Sequence, residues 1–252
     1  MTHDDAALRE IFRRDGFVHI DGFLSEGEVD EIDINLNRFI REVVPTLPNN
    51  TAMYQVSGQP KTLKQVANLE NDAFFSRLFL SSKVRGTAEA LLGQKAVPQE
   101  IQFFNKPPHI GSATPPHQDG YYFCLVPNEA ATVWIALDDI DSENGALHYW
   151  KGSHKKGVLD HTASYVLGFS QGLGNSSREG LEGETICHVK RGDCLIHHSL
   201  MVHAAGPNIS SRSRRALGLV YYGESAQLDP EARRRYRESV AEQRTYLGAD
   251  PN

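Results

Sequence analysis

Cysteine is scarce. The 252-residue chain has three, Cys124, Cys187 and Cys194, and no Cys-x-x-Cys pair. Three thiols cannot all pair, so no disulfide framework is expected and a reducing cytoplasm is the expected setting. No apolar run approaches the ~20 residues that a membrane helix needs. The opening Met1-Thr2-His3-Asp4-Asp5 is acidic where a secretory signal would be basic and then apolar. Positive charge is in deficit, with 26 Lys and Arg against 32 Asp and Glu, for a net −6. That balance argues against a dedicated nucleic-acid partner. What is present is ordinary globular composition, 40% apolar, 23% charged and 9% aromatic. Barrels and sandwiches often reach this length as one unit, so a single domain over residues 1–252 is expected.

Periodicity divides the chain. Residues 1–95 read as a mostly helical flank. Leu8, Ile11 and Phe12 follow helical spacing up to Gly16. Ser25 and Glu28 form a capping box, followed by the stripe Val29, Ile32, Leu36, Phe39 and Val43 up to Pro45. Residues 71–93 read as further helix. From 96 to 222 short apolar runs (Ile101–Phe104, Thr132–Leu137, Ala146–Trp150, Thr185–Val189, Cys194–Ile196, Ala216–Tyr222) alternate with turn signals such as Asn144-Gly145. That pattern predicts a sandwich or barrel. Gly168 to Gly183 reads as a surface loop or lid, and Asp229-Pro230 opens a last helix over 228–246. The run Arg233-Arg234-Arg235 shares that helix with Glu231, Glu238 and Glu242, which makes it a solvated face.

Chemistry concentrates at His117-Gln118-Asp119. On a strand, residues i and i+2 share a face, so an imidazole and a carboxylate converge. A second histidine from elsewhere would complete a two-histidine, one-carboxylate face suited to Fe(II). The tripeptide alone is weak, since His3-Asp4-Asp5 has the same form at the terminus. Downstream lie His197, His198 and His203, then Arg214 at the head of an apolar run. His197 and His198 are adjacent, so on a strand they face opposite ways. An inward Arg214 would bring Ala216 and Gly218 inward with it, leaving room for a ligand. Its guanidinium would suit the far carboxylate of a dicarboxylate.

Ordered blocks across residues 8–222 carry a resemblance. They are Asp15-Gly16-Phe17, Asn105-Lys106-Pro107-Pro108, Pro116-His117-Gln118-Asp119-Gly120, Trp134 to Asp139, Glu143 to Leu147, Gly152-Ser153-His154 and Gly192-Asp193, ending with His203, Gly206, Asn208, Ser210 and Arg214. The chain resembles the phytanoyl-CoA dioxygenase (PhyH) family of Fe(II)/2-oxoglutarate oxygenases. The resemblance implies a mainly β fold with flanking helices, a double-stranded β-helix of jelly-roll or cupin-like form. It implies His117, Asp119 and His203 as iron ligands and Arg214 as the partner of the 2-oxoglutarate far carboxylate. Gln102 and Trp134 would line the cosubstrate pocket, Lys64 lies near a position where some relatives carry a lysine, and His154 would be a turn residue. Ala216 stands where many such oxygenases carry Ser or Thr. The implied reaction joins O2, 2-oxoglutarate and a small-molecule substrate, releasing succinate and CO2. With a carboxylate at Asp119, hydroxylation is expected rather than chlorination. Tyr54, Tyr121 and Tyr122 are candidate pocket walls. A cupin-like isomerase or epimerase would share the barrel without needing Arg214, and a non-catalytic barrel would bind a metabolite alone.

Overall fold

The computed structural model describes residues 5–48, 51–166 and 169–246. The N-terminal part runs α1 (Asp5–Asp15), β1 (Phe17–Ile20), α2 (Glu26–Arg38), β2 (Ala52–Tyr54), β3 (Leu63–Val66), α3 (Ala73–Leu80) and α4 (Ser82–Leu92). Next come β4 (Ala96–Lys106), β5 (Thr114–His117), α5 (Asp119–Phe123), β6 (Leu125–Val126), β7 (Ala130–Ala136), β8 (Leu147–Trp150), β9 (His161–Val166) and β10 (Phe169–Leu173). The chain ends with α6 (Asn175–Arg178), β11 (Glu184–Cys187), β12 (Cys194–His198), β13 (His203–Ala205), β14 (Arg214–Gly223), β15 (Gln227–Leu228) and α7 (Pro230–Tyr246).

Local chemistry sets the helix ends. Ser25 Oγ accepts from the Glu28 amide at 3.4 Å, and the Glu28 carboxylate accepts from the Ser25 amide at 2.8 Å. The stripe predicted to reach Val43 breaks at Arg38 and continues as a π turn over Phe39–Val43. A 3-10 turn over Val44–Thr46 then takes Pro45, which has no amide proton to extend a helix. The helix expected over 71–93 is two helices, because Ser81 is extended (ψ 144°) and its hydroxyl caps α4 at the Val84 amide.

Two antiparallel sheets form the jelly roll. The larger has the order β1-β12-β7-β14-β4-β3-β2 and the smaller β11-β8-β13-β5. Period-2 alternation gives each strand of the large sheet two destinations. Phe103, Val133, Ile135, Leu217 and Tyr221 pack outward against Val29, Ile32, Phe75 and Leu91 of the helices. Trp134, Ala136, Leu195 and Ala216 point inward, toward Tyr149 and Leu147 of the small sheet. Each large apolar side chain so buried is worth roughly 1.5–3 kcal/mol.

Besides its helices, the flank carries β1, β2 and β3, which extend both edges of the large sheet. Those strands are only three or four residues long, too short for a period to declare itself. In the segment read as a loop from Gly168, Gly168 lies outside the described residues; β10 pairs with β9, and α6 follows as a single turn.

Candidate active site

His117 ends β5. Gln118 is extended (φ −121°, ψ 127°), so His117 and Asp119 still converge, although Asp119 opens α5 instead of continuing the strand. The turn is forced where the Gly120 amide donates to Ser199 O at 2.8 Å. β13 lays His203 directly opposite His117 in the ladder, with ring centroids 4.2 Å apart. His117 Nδ1 lies 2.8 Å from Pro115 O, and His203 Nδ1 lies 3.0 Å from Met201 O. A carbonyl only accepts, so both Nδ1 atoms carry the proton and both Nε2 atoms present lone pairs. Asp119 Oδ1 is 3.6 Å from His117 Nε2 and 3.7 Å from His203 Nε2. The three donor atoms lie within 4.8 Å of one another, close enough to share one ion.

Electrostatics suit the ligand state. Burial, followed by the neighbouring His117 and His197, pushes the His203 imidazole well below its ordinary pKa, toward the neutral form that ligates. Burial alone would raise Asp119. Attraction to the protonated form of the surrounding imidazoles, His203 foremost, together with the hydrogen bond from His197 Nε2, instead holds it well below the usual carboxylate range.

The second carboxylate oxygen is also held. Asp119 Oδ2 accepts from Thr132 Oγ1 at 2.8 Å and from His197 Nε2 at 3.1 Å. His197 Nδ1 in turn lies 2.8 Å from the Tyr149 hydroxyl. A carboxylate has no proton to give, so His197 Nε2 donates and its Nδ1 accepts from Tyr149. His198 faces the other way, its Nδ1 accepting from the Leu200 amide at 3.0 Å. His154 sits in a turn against Arg13 O, and His3 lies outside the described residues. His19, Asp21 and Asp193 form another cluster. There the Asp193 oxygens already accept from the Gly22 and Lys190 amides at 2.7 and 2.8 Å, which ties β1 to the turn before β12.

Arg214 is buried at 4% exposure, with its Cζ 5.5 Å from the Trp134 ring centroid. Its Nε has no hydrogen-bond partner, and no carboxylate among the described residues lies within ion-pair distance of it. Its neighbours in sequence are spent outside the cavity: Arg212 on Asp141, Arg215 on Asp138 and Asp33. Burial pulls Arg214 down to about 10, against the attraction of Asp138. Burial and then Arg214 bring Lys64 to about 8, while burial, Arg214 and Lys64 bring Lys106 to about 6. Three basic side chains crowd one end of the barrel, with Arg214 the group that stays charged, a place built for an anion.

Both regions open onto one cavity of about 410 Å³. Gln102, Trp134 and Tyr122 line it. Gln102 is tied on both sides, accepting from Gln65 Nε2 at 2.7 Å and donating to Glu100 at 2.8 Å. Tyr54 is not a wall, because β2 carries it into the outer core beneath the helices. Tyr121 instead stacks on His161, with centroids 4.1 Å apart. Sequence reading missed Glu100, Thr132 and Tyr149. The signal was strand parity: Glu100 shares a face with Gln102, and Thr132 with Trp134.

The sequence pattern described as phytanoyl-CoA dioxygenase (PhyH) matches residues 12–216. The chain belongs to the PhyH family. Among its relatives, peroxisomal phytanoyl-CoA dioxygenase of Mus musculus is 24% identical over 229 residues, covering 86% of this chain and 68% of that protein. A probable alpha-ketoglutarate-dependent hypophosphite dioxygenase of Stutzerimonas stutzeri is 26% identical over 219 residues, covering 84% of this chain and 76% of its own. The chain spans about two thirds of the peroxisomal mammalian proteins it matches and about half of the Bos taurus phytanoyl-CoA dioxygenase domain-containing protein 1. Among solved structures, the epimerase SnoN in complex with Fe3+, alpha ketoglutarate and nogalamycin RO superposes with a TM-score of 0.72 at 25% identity, covering 90% of this chain and 88% of SnoN. This PhyH protein is therefore of the iron- and 2-oxoglutarate-dependent oxygenase type. Its own residues fit that chemistry, with three inward-facing donors on one side and, on the other, a buried guanidinium whose Nε has no hydrogen-bond partner.

Proposed function

We propose that this protein hydroxylates a C–H bond of a small organic substrate, with Fe(II) held by His117, Asp119 and His203 and 2-oxoglutarate anchored by Arg214. Arg214 carries the reading. A buried guanidinium without a carboxylate partner costs stability unless a ligand supplies one, and a Lewis-acid isomerase has no use for it. When bound, iron and cosubstrate supply oxidising power, as 2-oxoglutarate is decarboxylated to succinate and CO2 with O2.

The chain's part is positioning. Pro115 O and Met201 O orient the two imidazoles, while Thr132 and His197 hold Asp119 Oδ2 so that Oδ1 faces the histidines. Thr114 lines the cavity, its Oγ1 3.4 Å from Lys106 Nζ, and is our candidate for the hydroxyl that Ala216 cannot supply to the cosubstrate. The aromatic wall at Tyr122 keeps bulk water from the reacting carbon.

Under argon, Fe(II) plus 2-oxoglutarate should give a weak visible charge-transfer band, and in air substrate should release succinate. No band would overturn the assignment. A second outcome on the same machinery has a specific precedent, since SnoN is described as an alpha ketoglutarate dependent epimerase. Product mass separates the two: hydroxylation adds one oxygen atom, epimerisation adds nothing.

A further inference from the structure

The inner face of β4 reads Lys106, Phe104, Gln102, Glu100, and β14 opposes it with Arg214, Ala216, Gly218 and Val220. Six residues of strand separate Lys106 from Glu100, about 20 Å at ~3.3 Å each. The barrel is therefore polarised, with the buried Arg214 guanidinium at one end and a carboxylate at the other.

Glu100 lines the same cavity as the His117, Asp119 and His203 cluster. The ladder places it in one inward row: His197 opposite Thr132, Thr132 opposite Val220, and Val220 opposite Glu100. Thr132 is the residue that holds Asp119. Two strand spacings separate Thr132 from Glu100, roughly 10 Å at ~4.8 Å each. A molecule filling the cavity between this row and the metal ligands thus lies within reach of this carboxylate.

Glu100 accepts from Gln102 Nε2, which is the last link of a chain running from Gln65. No Lys, Arg or His among the described residues lies within ion-pair distance of it. Phe123, Tyr122 and Tyr222 line the cavity with it, and the Phe123 and Tyr222 rings stand 5.3 Å apart. The nearby α7 arginines are largely engaged elsewhere, Arg234 on Glu231 and Glu238, Arg235 on Glu231. Arg233 and Arg237 line a separate surface hollow with Leu228 and Pro230.

We propose that the cavity takes a substrate bearing a protonated or quaternary nitrogen, paired with Glu100 and flanked by Tyr122, Phe123 and Tyr222, several bonds from the carbon presented to the metal ligands. An acidic group against aromatic faces is what recognises an organic cation. Burial, and beyond it Glu70, pushes Glu100 above the ordinary carboxylate pKa, so a cation there relieves an existing cost. The proposal rests on the iron and 2-oxoglutarate reading for the location of the reacting carbon.

The test uses the full chain with Fe(II) and 2-oxoglutarate under argon, titrated by calorimetry with n-butylammonium, n-butanol and butyrate, which share a chain and differ in head group. We expect butylammonium to bind about tenfold or more tighter than butanol, with butyrate weakest, as one charge-assisted contact dictates. E100Q should reduce butylammonium to the level of butanol, while E100D keeps part of the preference. Equal binding of the three probes by wild type, or a preference that survives E100Q, overturns the proposal. The wild-type ranking decides even if a variant folds poorly. The charge-transfer band is read separately: its absence removes the iron reading, whereas a normal band without ammonium preference removes only the cation.

Discussion

His197 Nε2 stands 3.1 Å from Asp119 Oδ2, on the far side of the carboxylate from the His117 and His203 nitrogens. The two oxygens of Asp119 are thereby divided, one held by protein donors and one left facing His117 and His203. Tyr149 fixes the histidine in turn through its hydroxyl, and Thr132 adds a second donor. Such outer contacts set ligand orientation and typically govern about 10–100-fold in metal affinity.

His197→Phe keeps the bulk and removes the donor, so anaerobic Fe(II) affinity should drop by about tenfold to a hundredfold. Tyr149→Phe should act in the same direction and more weakly, because His197 keeps its bond to Asp119. An unchanged iron isotherm for His197→Phe would show that Thr132 alone suffices.

Arg214→Lys retains charge and loses the planar fork. The 2-oxoglutarate KM should rise about ten- to a hundredfold, the worth of one charge-assisted pair, with substrate KM nearly unmoved. Arg212→Lys and Arg215→Lys should leave it alone, since both arginines pair with surface acids. Were Arg215→Lys to mimic Arg214→Lys, the inward register of β14 would be refuted.

Much of this was legible because alternation along β7, β12 and β14 writes burial into the sequence. Arg214 with Ala216 and Gly218, and His197 against His198, follow from parity alone. For Glu100, parity with Gln102 signals the inward face, but its row beside Thr132 was not legible, because that comes from the ladder pairing β4 through β14 to β7, which joins residues more than thirty positions apart. Nor were β1 to β3, whose short pairing is set by the large sheet and not by their own pattern. Asp119 shows the opposite case: the backbone turns into α5, yet the expected convergence survives, since it depends only on Gln118 being extended.

The crowding of Lys64 and Lys106 near Arg214 predicts a pH response. Lys106 falls to about 6 in the folded chain, from an ordinary 10.5, through burial first and then Arg214 and Lys64. The unfolded chain therefore binds more protons than the folded one between those values. Stability gains a positive slope with pH across the window, and the cost of keeping this amine neutral is greatest at its acid end. Lys106→Met removes that slope. Urea unfolding should show the variant's advantage over wild type shrinking steadily from pH 6.5 toward pH 9, a range inside the window set by the two pKa values. A difference that stays flat across the range would mean that the amine remains charged.

The third ligand is the last prediction. His117, His197 and His203 all crowd Asp119, with His197 and His203 ring centroids only 4.5 Å apart. Two features select His203. Its Nδ1 is spent on Met201 O, so its Nε2 carries a lone pair toward Asp119 Oδ1, whereas His197 Nε2 carries a proton toward Asp119 Oδ2. Its strand also sits beside β5, opposite His117, so the two imidazoles share one sheet, while His197 belongs to the other. Loss of a first ligand should abolish tight iron binding and the charge-transfer band together. His203→Ala should therefore lose both, His197→Ala should keep a weakened band, and His198→Ala, facing away from the cavity, should bind iron as wild type does. Retention of the band by His203→Ala, with loss in His197→Ala, would move the metal across the barrel and undo the ligand set.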